Sequence, residues 1–117
     1  MEYNLHNRIL GGLIGAGAGD AMGAATEART TGQIREYFGH TVTDFETPPM
    51  DTFGAGNKPG QLTDDFSSAF FLAKSIVDNQ GVVDQKAVQN ALIEWSEHVV
   101  FFDRFAGPTT RLAIRRF

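Results

Sequence analysis

Apolar residues recur at helical spacing in two stretches of this chain. From about Asp64 to Asn79, and again from about Asp84 to Val99, they return every three or four positions, which places them on one face of a helix. The two apolar faces comprise Phe66, Ala69, Phe70, Ala73, Ile76 and Val77 in the first stretch and Ala87, Val88, Ala91, Leu92, Trp95 and Val99 in the second. No alternating run is strong enough to indicate a strand. The pattern therefore predicts an all-α fold.

The stretch from about Leu5 to Ala28 predicts a further helix, which is unusual because it contains regularly spaced glycines. They recur every four residues, at Gly11, Gly15, Gly19 and Gly23, and on a helix they form a stripe without side chains. Since each glycine costs a helix about 1 kcal/mol relative to alanine, we expect another helix to pack closely on this stripe. On one continuous helix, Asp20 and Glu27 would lie near one face.

The remaining segments are predicted to be mainly loops. Gly32 to Leu62 is rich in glycine and proline, which favour turns, and contains one short helical turn from Gln33 to Phe38. Phe101 to Gly107 is predicted to be a loop rich in aromatic residues. A last helix would then begin at Thr109 or Thr110.

The composition narrows the classes of function. A length of 117 residues fits a single domain, residues 1–117. The net charge of −4 argues against binding to nucleic acid or to an acidic membrane. The absence of cysteine excludes disulfides, thiolate metal sites and a cysteine nucleophile.

The apolar run from Ile9 to Ala25 contains Asp20, which is unfavourable in a bilayer, so we expect no membrane insertion. Without a targeting segment, the expected compartment is the cytoplasm.

The main candidate for chemistry is the tripeptide Thr63-Asp64-Asp65 at the predicted start of a helix. In one interpretation Thr63 is the N-cap and the two acids interact favourably with the helix dipole. In the other, a hydroxyl and two carboxylates face a hard cation such as Mg²⁺, which prefers oxygen ligands. A flexible turn, Gly60-Gln61-Leu62, precedes the tripeptide and would let it face a cleft.

A second candidate is the turn from Gly107 to Thr110. It can simply begin a capped helix, or its exposed amide groups can hold a phosphate. Glu27 by itself is typical of a solvated acid at a helix end.

Three motifs, taken in order, resemble the N-terminal part of the ADP-ribosylglycohydrolase family, which includes the dinitrogenase reductase-activating glycohydrolases. They are Gly19-Asp20-Ala21-Met22-Gly23 with Glu27, then Gly60-Gln61-Leu62-Thr63-Asp64-Asp65, then Gly107-Pro108-Thr109-Thr110-Arg111. The resemblance implies an all-α orthogonal helical bundle with a two-magnesium centre, in which manganese is an alternative. It also implies hydrolysis of the glycosidic bond between ADP-ribose, or a related riboside, and its carrier.

The resemblance also assigns roles to individual residues. Thr63, Asp64 and Asp65 match the early metal ligands of the family. Glu27 matches an acidic residue near the metals, and either Glu27 or Asp65 would relay a proton as the catalytic carboxylate. The substrate-binding residues that it implies are Asp103, Gly107, Thr109 and Thr110.

The chain departs from the family pattern at its C-terminal side. Members are usually much longer, and a late Asp-x-Asp-Thr/Ser motif supplies their remaining metal ligands, whereas no acid follows Thr110 here. We therefore expect the N-terminal part of a larger magnesium-dependent hydrolase, with little or no activity as 117 residues. The alternatives are a non-catalytic helical module, whose partner chain covers the missing C-terminal half, and a truncated fragment without a role of its own.

Overall fold

The computed structural model describes residues 4–117, and their regular secondary structure is entirely helical. Within these residues the helices are α1 (Leu5–Gly23), α2 (Thr31–Phe38), α3 (Asp64–Asp78), α4 (Gln85–Ser96), α5 (Val99–Phe105) and α6 (Pro108–Ile114). The predicted all-α class is confirmed. The backbone forms two compact units, Met1–Leu62 and Thr63–Phe117, and each is described by itself. The assignment of residues 1–117 to one domain stays a prediction.

Helix α1 ends earlier than predicted, at Gly23 instead of about Ala28. The amide and the hydroxyl of Thr26 both donate to the Gly23 carbonyl, at 2.9 and 3.3 Å. A threonine that bonds back to the main chain in this way offers the backbone an alternative to the helix. Glu27 therefore lies in a turn, and the prediction that it shares a helix face with Asp20 is wrong.

The glycine stripe on α1 has open space beside it. A Cβ atom built on Gly11, Gly15, Gly19 or Gly23 would meet no atom within 4 Å. The expected helix on this stripe is therefore not found among residues 4–117. The large apolar side chains of α1 that are exposed are Leu5, Ile9, Leu10, Leu13 and Ile14. No helix in the described part of the chain combines the length and hydropathy needed to cross a bilayer.

Helix α2 is longer than the single turn predicted from the sequence. Thr30 and Gln33 form a capping box at its start: the Gln33 amide donates to Thr30 Oγ1 and the Thr30 amide donates to Gln33 Oε1. This arrangement satisfies two helix-end donors at once. Gly39 ends the helix in the left-handed conformation, with φ of 76°, as is common after a helix.

The core of the second unit lies between α3 and α4, both of which were predicted nearly to their bounds. Trp95 is 2% exposed, and the small residues Ala87 and Ala91 beside it on α4 are also buried. Two buried hydrogen bonds connect these helices in the described residues: Trp95 Nε1 donates to Ser67 Oγ at 2.9 Å, and Ser75 Oγ donates to the Ala87 carbonyl at 2.8 Å. The buried polar groups of this core are thus paired, as stability requires.

The predicted aromatic loop from Phe101 to Gly107 is wrong, because most of it belongs to α5. The Arg111 guanidinium donates to three carbonyl oxygens near the end of α5, those of Phe102, Asp103 and Ala106, at 2.8 to 3.0 Å. A cation at a helix C-terminus interacts favourably with the carbonyls exposed there, and the Phe102 carbonyl accepts the Ala106 amide as well. Helix α6 begins at Pro108, a favourable first position, slightly before the predicted threonines.

Candidate functional site

Thr63 lies at the N-cap position of α3, as predicted, but its side chain does not make the capping hydrogen bond. Its backbone is extended and its hydroxyl accepts no hydrogen bond from the amides of the first turn. The residue is only 8% exposed. The hydroxyl is therefore not used in the way that the simple capping interpretation requires.

Asp64 and Asp65 occupy the first turn of α3. Asp64 is half-buried and Asp65 is exposed. Successive residues on a helix point about 100° apart, so the two carboxylates do not face one direction. The first-turn position still favours their negative charge through the helix dipole.

The oxygen donors of Thr63, Asp64 and Asp65 are of the type that magnesium binds, but they are too few to complete its coordination. Hydroxyl and carboxylate oxygens are ligands that Mg²⁺ accepts, and the ion usually keeps several waters. Within the described residues, no group of three or more His, Asp or Glu side chains lies close enough to hold a metal ion. Thr63, Asp64 and Asp65 thus form part of a possible ligand set, and waters or other residues would have to supply the rest.

Glu27 is exposed in the turn after α1. It borders a small cavity of about 150 Å³ within the unit Met1–Leu62, whereas the tripeptide belongs to the unit Thr63–Phe117. The cavity is also lined by Ala28, Arg29, Gln33, Asp51, Thr52 and Phe53. The turn therefore presents a carboxylate at the edge of a polar cavity.

The candidate substrate residues lie on the last two helices. Asp103 is exposed on α5, Gly107 is the N-cap of α6, and Thr109 and Thr110 are in the first turn of α6. Arg111 connects the two helices through its hydrogen bonds to α5 carbonyls, including that of Asp103 at 3.0 Å. The structure therefore brings these candidates into one short segment, held by an arginine that the sequence did not single out for this role.

Two further residues near Glu27 were missed by the sequence analysis. Arg29 and Asp51 form an ion pair, and the Arg29 Cζ atom lies 5.4 Å from the centre of the Tyr37 ring. Arg29 follows Glu27 closely in the sequence, and this proximity was a signal that could have drawn attention to it. Its partner is 22 residues away in a segment with no periodicity, so nothing local in the sequence connected the two.

Comparison with known proteins identifies a family. The sequence matches the family described as ADP-ribosylglycohydrolase over residues 1–117. It is 28% identical over 108 residues to the uncharacterized protein YegU of Escherichia coli (strain K12), covering 92% of this chain and 32% of the relative. It is 30% identical over 117 residues to ADP-ribosyl-[dinitrogen reductase] glycohydrolase of Rhodospirillum rubrum, covering 97% of this chain and 36% of the relative. The chain spans about a third of the length of these relatives. No solved structure matches it.

Proposed function

This chain belongs to the ADP-ribosylglycohydrolase family, and we propose that the protein containing it hydrolyses the glycosidic bond between ADP-ribose, or a related ribosyl group, and its carrier. The observation that carries this proposal is the family match over all 117 residues. The match includes both the Gly-Asp motif of α1 and the tripeptide at the start of α3. The glycohydrolase from Rhodospirillum rubrum, 30% identical, supports the same reaction class.

We propose that Thr63, Asp64 and Asp65 hold magnesium, with manganese as an alternative, together with ligands from outside this tripeptide. Their oxygen donors fit a hard cation, and they are adjacent at the start of α3. When bound, the metal would act as a Lewis acid that orients ribose hydroxyls and activates a water.

The acid–base role falls to Glu27 or to Asp65. Both carboxylates are exposed, so a substrate or a water can reach them. A carboxylate within hydrogen-bonding distance of the attacking water can accept its proton and later return it to the leaving group. Asp103, Gly107, Thr109 and Thr110 are the proposed contacts to the ribosyl substrate, since α6 presents its first amides at this turn.

The test replaces the two acids of α3 in the protein expressed from its complete gene. We expect Asp64→Asn with Asp65→Asn to lower the hydrolysis of an ADP-ribosylated protein by about 100-fold or more, as loss of acid–base or metal ligation does. The matched control is Asp78→Asn at the other end of the same helix, which should leave the rate unchanged. Unaltered hydrolysis in the double variant would refute the assignment.

The 117 residues alone are expected to show little or no turnover. Their ligand set is partial, and they correspond to about a third of the relatives' length.

A second candidate function is a helical module that binds a partner chain without catalysis. The open glycine stripe and the exposed apolar residues of α1 favour it, because exposed apolar patches often mark protein interfaces. Such a module would bind its partner without magnesium, whereas the proposed hydrolase would lose its activity. Removal of the metal therefore distinguishes the two functions.

A further inference from the structure

We infer that Arg29, paired with Asp51, is a positioning residue that holds Glu27 at the edge of its cavity. The inference extends the proposed function by naming what fixes the proposed catalytic carboxylate. It concerns only residues of the unit Met1–Leu62.

Within residues 4–117, the Glu27 carboxylate takes part in no hydrogen bond or ion pair that would fix its position. Its position therefore depends on the backbone of the turn from Ala24 to Ala28. Whatever fixes this backbone fixes the point from which the Glu27 side chain extends, and so limits the region that its carboxylate can reach.

The turn contains a strained residue directly after Glu27. Ala28 has a φ of 57°, in the left-handed region that residues with a Cβ atom seldom adopt. Such a conformation persists where the surrounding structure restrains the chain on both sides.

The first restraint lies before Glu27. Ala24 and Ala25 are 4% and 0% exposed. Gly54 packs so closely on this segment that a Cβ atom built on it would lie 2.8 Å from the Ala24 carbonyl oxygen. Only glycine allows this approach, so the N-terminal side of the turn is held by backbone packing.

The second restraint lies after Glu27 and consists of Arg29. Its side chain is 14% exposed, and its guanidinium pairs with Asp51 and lies over the Tyr37 ring. The Arg29 Nε atom is buried without a hydrogen-bond partner, so the ion pair and the ring contact are what hold the guanidinium. A planar cation suits both contacts, which an ammonium group reproduces only in part.

The structural arm of the test uses the 117-residue chain and measures amide hydrogen exchange by NMR. The reporter is the Thr26 amide, which donates to the Gly23 carbonyl inside the turn. We expect Arg29→Met to speed its exchange about tenfold, the factor expected for losing one cation–π contact and one partly exposed ion pair. Arg29→Lys and Asp51→Asn should give smaller increases. Arg35→Met, an exposed arginine in α2, is the matched control and should have no effect.

Two outcomes of this arm would overturn the inference. One is unchanged exchange at Thr26 in Arg29→Met. The other is an equal acceleration at the Ala91 amide of α4, in the other unit, because a uniform change reports general destabilisation and not a local restraint.

The catalytic arm uses the protein expressed from its complete gene and combines Arg29→Met with Glu27→Gln. We expect Arg29→Met to lower kcat with little change in KM, and to have no further effect when Glu27 is already replaced. Additive effects would contradict action through Glu27. A wild-type protein without hydrolase activity would refute the proposed function instead, while the exchange result would still decide whether Arg29 restrains the turn.

Discussion

At the scale of single residues, the core of the second unit pairs its buried polar side chains with specific partners. Trp95 and Ser67 are each 2% exposed, and the Trp95 indole N–H donates to the Ser67 hydroxyl oxygen. The apolar spacing of α4 predicted Trp95 as a core residue. It did not predict Ser67, because a serine on the buried face of α3 interrupts the apolar pattern and is explained only by the indole N–H that it accepts.

Replacing Ser67 by alanine should destabilise the second unit by about 1–3 kcal/mol, the cost of leaving a buried donor without a partner. Urea unfolding followed by the fluorescence of Trp95, the single tryptophan, measures the change. The control is Ser68→Ala on the same helix, whose hydroxyl makes only a weak bond to the Asp65 carbonyl at 3.4 Å. Equal stability of Ser67→Ala and wild type would contradict the role of this hydrogen bond.

Asp84, the N-cap residue of α4, gives a prediction about how stability depends on pH. The Ala87 amide donates to its carboxylate at 2.8 Å, and this hydrogen bond holds the pKa of Asp84 below its ordinary value. The stabilisation is therefore fully present above the pKa of the unfolded chain and is lost as the pH falls through the lower pKa of the folded state. Asp84→Asn retains a capping side chain but does not titrate, so its stability relative to wild type should rise on acidification. A stability difference that is independent of pH in the acid range would contradict this assignment.

At the scale of elements, the sequence predicted helices whose stability comes from their own apolar face. Helices α3 and α4 were found nearly where expected, and α4 buries Ala87, Ala91 and Trp95 of its predicted face. The predicted face of α3 is wrong, because its buried residues are Ser67, Phe71 and Ser75, whereas Ala69, Phe70 and Val77 are exposed. The end of α1 was missed because the bonds of Thr26 to Gly23 compete with the helix, and α5 was missed because a side chain outside it satisfies its last carbonyls. Both depend on individual polar contacts that leave no periodic signal.

Arg111 should therefore be necessary for α5. We expect Arg111→Met to remove about 1.5–3 kcal/mol of local stability, the usual range for hydrogen bonds from a charged group, and to loosen the end of α5. Faster hydrogen exchange at the Ala106 amide, which donates to the Phe102 carbonyl, is the measurement. Arg115→Met, an exposed arginine after α6, is the control. Unchanged exchange at Ala106 would show that α5 does not need the guanidinium.

At the scale of the whole molecule, three short motifs in the sequence were enough to indicate the family, and the family match confirms it. The candidate site was predictable only in part. The tripeptide at the start of α3 was visible in the sequence, because its donors are adjacent. The ion pair of Arg29 and Asp51 was not, because it depends on how a segment without regular structure returns to the turn after α1.

The most direct measurement of the central claim is metal removal and return in the protein expressed from its complete gene. Release of ADP-ribose from an ADP-ribosylated protein should fall to the uncatalysed rate in a chelator and recover when Mg²⁺ is added, because the proposed ligands at the start of α3 act only through a bound cation. Recovery should be absent when Asp64 and Asp65 are both replaced by asparagine. Hydrolysis that continues undiminished in the chelator, or no hydrolysis at any magnesium concentration, would contradict the proposed chemistry.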